Sequence, residues 1–311
     1  MLPDGIFLHR DEETVWPASA NVLMIRDQDG AVLVDVGCGR EEVYLGLKDF
    51  LASHGLGIGD VHTVVLTHAH PDHMGAMRFL LEEISPRVFL HPVEVPLAAD
   101  PSRLNHTFDM DLPFRYGMAD IPRERADIIE YFRHLCPMAS AEATDVLLPG
   151  EEIELGKFTF LVINTPGHAN GLVSLFEPGS GMLFTADAVG DVTAWYSPSS
   201  GGLTGFLDGL DRLSRLPATL LVPSHGRISE RPGEEIARTR AYLLRREERV
   251  LRELATGPLT FPELVRRAFK NPLIHLFPGP QILQCHLDKL QAEGRVRLHG
   301  REKDFLVELV P

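Results

Sequence analysis

Residues 61–73 read VHTVVLTHAHPDH and carry most of the information about the fold. The first half is a short apolar run typical of a buried strand, and the motif H-x-H-x-D-H follows directly. Side chains two residues apart in an extended chain point the same way, so His68 and His70 can bind one ion together. Asp72 and His73 then turn toward a neighbouring position. Imidazole and carboxylate groups suit zinc, iron or manganese.

Three later residues strengthen this interpretation, because each follows a predicted strand. His168 comes after the strand at 157–164, Asp187 ends the strand at 183–187, and His225 ends the strand at 220–225. Ligands at strand ends converge on one edge of a sheet. Five histidines and two aspartates match two metals that share one bridging carboxylate. The predicted metal ligands are His68, His70, Asp72, His73, His168, Asp187 and His225.

The remaining pattern predicts an α/β chain with an added C-terminal part. Early strands are expected at 21–26 and 31–36, with helices near 41–55 and 74–84. Residues 92–150 are irregular apart from a predicted helix near 123–135, and long segments of this kind are often lids or binding loops.

After Gly226 the predicted elements are a long helix, two short helices and a hairpin, at 232–255, 262–269, 281–293 and 295–309. Helix-turn-helix followed by a β-hairpin is a winged-helix pattern. We therefore predict a catalytic domain over 1–227 and a long helix plus winged-helix domain over 228–311.

Composition is that of a globular protein, with 44% hydrophobic and 24% charged residues in 311. The first residues do not resemble a secretory signal, and no apolar run has the length of a membrane span. Cys38, Cys136 and Cys285 are scattered and predict free thiols in a reducing compartment, so a cytoplasmic location is expected.

The net charge of −14 is distributed unevenly, with +4 from Arg227 onward and −18 before it. An acidic body disfavours a polyanionic partner, whose nonspecific binding depends on Lys and Arg contacts to phosphate. The tail, with Arg295, Arg297, Arg301 and Lys303, permits one.

These motifs resemble those of the metallo-β-lactamase superfamily, which are H-x-H-x-D-H, a G-H, a bridging D and a final H. The resemblance covers residues 1–226 and implies an αββα sandwich. It implies that the first metal is bound by His68, His70 and His168, that the second is bound by Asp72, His73 and His225, and that Asp187 bridges them. Asp35 matches the early D-x-G turn, a position that supports the site.

The order of elements resembles the LACTB2-like branch, which includes mitochondrial endoribonucleases. Glyoxalase II-like thioesterases share the metal motif and generally carry a different C-terminal region. Classical β-lactamase activity is disfavoured because Asp187 stands where the common zinc lactamases have a cysteine ligand.

The ligand set predicts water activation by two divalent metal ions, with Zn²⁺ as the leading expectation and Fe or Mn as alternatives. Two cations about 3.5–4 Å apart can share a water and lower its pKa, which gives hydroxide as the nucleophile. Asp72 is also a candidate catalytic residue that relays a proton to the leaving group.

Our leading hypothesis is a hydrolase of a small ester, thioester or related acyl substrate, with no membrane partner. The alternatives are a single-strand endoribonuclease, a mononuclear iron persulfide dioxygenase, and a winged helix that binds nucleic acid or serves as a homodimer contact. His106 is a residue of interest in the predicted lid. The aromatic residues Trp195, Tyr196, Phe114 and Tyr116 are interpreted as packing rather than recognition.

Overall fold

The computed structural model describes residues 1–10, 18–118, 134–190, 195–300 and 305–310. Two β-sheets pack face to face between layers of helices, which confirms the predicted α/β class and the αββα metallo-β-lactamase sandwich.

The first sheet has six strands in chain order. They are β1 (Ile6–His9), β2 (Val22–Arg26), β3 (Ala31–Val34), β4 (Val61–Val65), β5 (Arg87–Leu90) and β6 (Asp145–Val146). Pairing is antiparallel from β1 to β3 and parallel from β3 to β6. The carboxyl ends of β3, β4 and β5 therefore meet at one edge.

The second sheet has five strands in the order β11-β10-β9-β8-β7. They are β7 (Glu152–Leu155), β8 (Phe158–Asn164), β9 (Val173–Glu177), β10 (Met182–Ala186) and β11 (Leu220–Pro223). Pairing is antiparallel except between β10 and β11, which run parallel. The last two strands thus end at the same edge.

Strand alternation explains why the first sheet is buried on both faces. In β2, Leu23 and Ile25 join a core that includes residues of the second sheet, whereas Val22 and Met24 join a core beneath the helices. Successive side chains of a strand point to opposite faces, so a continuous apolar run covers both.

The described α-helices are α1 (Glu41–Ser53), α2 (Pro71–Met74), α3 (Met77–Glu83), α4 (Val95–Ala99), α5 (Leu104–Thr107), α6 (Leu112–Arg115), α7 (Gly202–Ser214), α8 (Pro232–Leu254), α9 (Phe261–Ala268) and α10 (Gly279–Ala292). The helix predicted over 74–84 is in fact α2 and α3. The described part of 92–150 contains short helices, and the helix predicted near 123–135 falls mainly on 119–133, outside the described residues.

The C-terminal region has the predicted order of helices followed by a hairpin. Its small sheet has the order β12-β14-β13 and consists of Leu259–Thr260, Leu306–Leu309 and Val296–His299. Helix α9 begins after Thr260, whose N–H donates to the Glu263 carboxylate at 2.9 Å. The winged-helix assignment and the boundary at 228 stay predictions.

The cysteines correct one expectation. Cys38 and Cys136 form a disulfide with their Cα atoms 5.3 Å apart, so the prediction that both are free thiols is wrong. Their separation of 98 residues gives no local signal, because they meet only when the loop after β3 packs against the end of the inserted segment. Cys285 is free and buried. The cytoplasmic location stays a prediction, and Cys38 and Cys136 no longer support it because they are not free thiols.

Among the described residues, no helix is both long and apolar enough to span a membrane.

Candidate metal centre

Local backbone geometry separates the four residues of the H-x-H-x-D-H motif. His70 is extended, with φ −89° and ψ 154°, and it caps α2, which begins at Pro71. Proline favours the first helical position because its φ is already helical and it needs no N–H partner there. Asp72 and His73 therefore lie in a helical turn, and their ligand atoms belong to a different group from those of His68 and His70.

The other three ligand candidates lie at strand ends, as predicted. His168 follows β8 through a short loop, and Asp187 and His225 follow the parallel strands β10 and β11. The loop needs glycine at Gly167, where φ is +129° and an added Cβ would lie 2.5 Å from the Phe206 side chain.

The structure brings all seven candidates together in two groups. The first group is His68, His70 and His168, and the second group is Asp72, His73, Asp187 and His225. Within each group the potential ligand atoms lie within 4.8 Å of one another. These are histidines and aspartates positioned for a metal site.

Asp187 connects the two groups through its two carboxylate oxygens. Oδ2 lies 3.2 Å from His168 Nε2 in the first group. Oδ1 lies 3.2 Å from His73 Nε2 and 3.6 Å from His225 Nε2 in the second group. The Asp187 carboxylate therefore faces both groups.

Several buried polar atoms at the centre lack a hydrogen-bond partner within the described part of the chain. They are His68 Nε2, His73 Nε2, Asp187 Oδ1 and His225 Nε2. Such atoms cost free energy unless something satisfies them. Cations bound between them would do so, and the donor set of imidazoles and carboxylates has the right chemistry. The residues present therefore fit a metal centre.

Electrostatics distinguish the two groups. Burial lowers the pKa of His68 and His70 well below the usual range, and the neighbouring imidazoles lower it further. Burial also lowers the pKa of His168, although Asp187 partly opposes this. The first group is thus held as neutral imidazole, the form that binds metal.

The second group is rich in negative charge. Burial would lower the pKa of His73, but Asp187, Asp35 and Asp72 outweigh it and raise the pKa well above the usual range. Burial would raise the pKa of Asp187, yet the surrounding histidines hold it well below its ordinary value. Carboxylates that attract a proton here also attract a metal cation.

Asp35 orients His73, in agreement with its expected supporting position. Its Oδ2 lies 2.8 Å from His73 Nδ1, and its Oδ1 accepts a hydrogen bond from the Thr67 N–H at 2.8 Å. Donation from Nδ1–H to Asp35 leaves Nε2 free to face the centre. Asp35 has φ +57°, a conformation imposed by the turn that follows β3.

Glu94 is a site residue that our sequence analysis missed. Its buried carboxylate accepts hydrogen bonds from the Ala69 N–H at 3.2 Å and the Gly171 N–H at 2.7 Å. Ala69 lies between two ligand candidates, and Gly171 lies just after His168. Glu94 therefore ties together the loops that carry the first group. The signal in the sequence is an acidic residue at the start of the irregular segment 92–150.

Aromatic rings lie against the first group. Phe108 and Trp195 have ring centroids 5.0 and 6.4 Å from that of His70. Trp195, which we interpreted as a packing residue, thus lies beside the centre. Tyr196 is buried and bonds to His286 at 2.8 Å, and His106 is exposed.

Comparison with known proteins agrees with this geometry. The model of the metallo-β-lactamase superfamily matches residues 15–225, so the chain belongs to this superfamily. It is 26% identical to a probable metallo-hydrolase of Bacillus subtilis, with 86% of each chain covered. It is 24% identical to a β-lactamase-like protein 2 homologue of Drosophila melanogaster, with 92% of this chain and 87% of the relative covered.

One further relative and one crystal structure are also similar to this chain. An acyl-coenzyme A thioesterase of Bos taurus is 28% identical, over 61% of this chain and 65% of the relative. A metallo-β-lactamase family protein from Thermus thermophilus has a crystal structure that superposes with a TM-score of 0.80 at 26% identity, and 100% of both chains is covered. Family and relatives together support a metal-dependent hydrolase.

Proposed function

We propose that the protein is a binuclear hydrolase of a small ester, thioester or related acyl substrate. The observation that carries the proposal is the position of Asp187, whose Oδ2 faces His168 while its Oδ1 faces His73 and His225. A shared carboxylate of this kind suits two cations held close together.

Two bound divalent cations would supply the Lewis acidity and the activated water for hydrolysis. The first group, His68, His70 and His168, would hold one cation. Asp72, His73 and His225 would hold the other, with Asp187 between them. We propose Zn²⁺ for both because this donor set suits it, with Fe and Mn as alternatives.

Asp72 is the group we propose for proton transfer. It has the most exposed side chain of the seven candidates, at 19%. Its Oδ2 lies 3.3 Å from His225 Nε2, which leaves Oδ1 to accept a proton and pass it to the leaving group. The other candidates are more deeply buried and serve better as fixed ligands.

An acyl substrate is supported by the charge of the chain and by one relative. The −18 charge of residues 1–226 disfavours a nucleic acid, whose binding depends on many phosphate contacts. A relative named acyl-coenzyme A thioesterase shares 28% identity over 200 residues. Thioesters are therefore the first substrates to try.

The test is a panel of thioesters, esters and lactones assayed with protein loaded with Zn²⁺. We expect turnover of at least one thioester or ester and a large loss of activity in Asp187→Asn. The matched control is Asp29→Asn, which makes the same chemical change at an exposed residue in the turn after β2. No turnover across the panel at full metal occupancy would overturn the proposal.

The alternatives are separated by two further assays of the same preparation. Cleavage of single-stranded RNA that disappears in a His68→Ala and Asp72→Ala double variant would favour the endoribonuclease. In the tail, however, Arg295 lies 3.5 Å from Glu247 and Arg297 pairs with Glu308, so these cations are partly neutralised. Oxygen uptake with a persulfide would favour the dioxygenase.

A further inference from the structure

We propose that Phe108, Trp195 and Phe277, called here the aromatic wall, bind the apolar acyl group of the substrate. The proposal deepens the proposed hydrolase function and rests on it. It names the substrate class more closely, as thioesters or esters whose acyl part is an apolar chain rather than an acetyl group.

The three rings form one surface beside the first ligand group. Their centroids are 4.5 Å apart for Phe108 and Trp195, 5.3 Å for Trp195 and Phe277, and 5.7 Å for Phe108 and Phe277. Trp195 also lies 6.0 Å from the ring of His168, and Phe108 lies 5.0 Å from that of His70. The wall therefore borders the centre directly.

The aromatic wall leaves part of its ring surface exposed, as a surface that binds a ligand must. Phe108 is buried and forms the base, whereas Trp195 and Phe277 are only partly buried. Covering apolar ring surface with an apolar ligand removes it from water, which favours binding. No charged side chain is needed to hold an alkyl chain.

The wall also implies an orientation for the substrate. The rings contact His70 and His168 of the first group, whereas Asp72, with the most exposed side chain, belongs to the second group. An acyl chain against the wall would place the leaving group on the side of Asp72, where a proton is needed.

Hydrogen bonds hold the segments of the wall in place. Ser197 Oγ donates to the Thr107 carbonyl at 3.0 Å, and the Ser199 N–H donates to the Asp109 carboxylate at 2.9 Å. Gln281 Nε2 donates to the Asp109 carbonyl at 3.1 Å. Segments 107–109, 197–199 and α10 are thereby joined, so the surface is preorganised.

Phe277 gives the proposal its most specific consequence. It lies outside residues 15–225, the part matched by the superfamily. A residue of the C-terminal region would then determine acyl specificity, and relatives that lack this region would lack the full wall.

The test compares acetyl and hexanoyl thioesters with the same leaving group. We expect Phe277→Ala to lower kcat/KM for the hexanoyl substrate about tenfold, the scale expected for loss of a large apolar contact, and to change acetyl turnover less than about twofold. Phe277→Leu should lie between. Phe50→Ala, which removes a ring packed on His9 and His54, is the matched control.

A binding measurement complements kinetics. The chain has two tryptophans, so Trp16→Phe leaves Trp195 as the single reporter. Hexanoate should change the Trp195 fluorescence of Zn²⁺-loaded protein at lower concentration than acetate does, and Phe277→Ala should remove the difference.

The outcomes separate the two proposals. Hydrolysis of both thioesters with equal kcat/KM, or an equal loss for both in Phe277→Ala at unchanged metal content, would overturn the aromatic wall and leave the hydrolase intact. No hydrolysis of any ester or thioester would overturn the proposed function, while selective fluorescence binding of hexanoate would still support the wall.

Discussion

Histidines and carboxylates are buried together at the metal centre and again where α8 packs on α10, and the two clusters are neutralised differently. Between the helices, Glu247 lies 2.9 Å from Lys289 Nζ and 3.5 Å from Arg295 Nη1. At the metal centre, the ion pairs of Asp187 among the described residues are with histidines. Lysine and arginine side chains neutralise Glu247 in the helix cluster, whereas an added cation would neutralise the carboxylates of the metal centre.

This comparison shows how a metal site differs from a structural ion-pair network. Both clusters perturb the pKa of their members, so a shifted pKa alone does not distinguish them. The clusters differ in how many buried atoms have no hydrogen-bond partner in the described part of the chain. At the metal centre these are His68 Nε2, His73 Nε2, His168 Nδ1, Asp187 Oδ1 and His225 Nε2, and at the helix cluster the corresponding atom is His286 Nδ1.

The largest effect is expected for Asp187→Asn. The change keeps the shape of the side chain and removes the charge between the two ligand groups. We expect kcat to fall by about 10³-fold or more, as for loss of a central catalytic group, measured on the best thioester of the panel. Activity within tenfold of wild type would show that Asp187 is not the bridge.

Asp35→Asn should weaken metal binding about tenfold to hundredfold, the usual cost of losing a carboxylate that orients a ligand histidine. The physical reason is loss of the charged partner of His73 Nδ1. Competition with a chromophoric chelator measures the affinity.

Asp27→Asn is the control for this variant, because Asp27 forms a similar pair with His62 at 3.0 Å away from the centre. Equal metal affinity in Asp35→Asn and wild type would contradict the role of Asp35.

Glu94→Gln should weaken the first metal position by about tenfold, the lower end of the range for outer contacts. The Ala69 and Gly171 N–H groups donate to different oxygens of the Glu94 carboxylate, so an amide would place its NH₂ group opposite one of these two donors. Titration with Co²⁺ and its absorption bands would report the loss.

Glu177→Gln supplies the matched control, since Glu177 accepts the N–H groups of Gly179 and Ser180 in a distant turn. The same metal affinity in both variants would rule out a positioning role for Glu94.

Glu247→Gln tests the helix cluster and should leave activity nearly unchanged. Burial would raise the pKa of Glu247, but His286 and Lys289 outweigh it and keep the pKa below its usual range. A carboxyl with a depressed folded pKa stabilises the protein above its unfolded pKa, and this stability is lost as pH falls through the folded value.

At neutral pH we therefore expect Glu247→Gln to lower the free energy of unfolding by about 1–3 kcal/mol. The difference from wild type should shrink below about pH 4, where carboxyl groups protonate. Urea unfolding at both pH values measures this, with the exposed Glu248→Gln as control. If the difference in the free energy of unfolding between Glu247→Gln and wild type is the same at both pH values, the ionic role of Glu247 is excluded.

The part of the site that is predictable from sequence is the part fixed by local geometry. The motif after β4 and the residues that follow β8, β10 and β11 are recognisable by position, because parallel strands and short loops bring their ends to one edge. The αββα fold and the supporting position of Asp35 were predicted from the resemblance to the superfamily that these motifs carry.

The remaining features depend on contacts between distant segments. Phe277 contacts Trp195 from the C-terminal region, Cys38 meets Cys136 across 98 residues, and Tyr196 bonds to His286 across 90. No local period or spacing encodes such contacts. Glu94 belongs with these features, because its two backbone partners, Ala69 and Gly171, are distant from it in the sequence.

The most direct test of the central claim is the Zn²⁺ content of chelated and reloaded protein, measured by equilibrium dialysis and elemental analysis. We expect two ions per chain in the wild type and at most one in Asp187→Asn, with Asp29→Asn retaining two. A single ion in the fully loaded wild type, or two ions held equally tightly by Asp187→Asn, would contradict it.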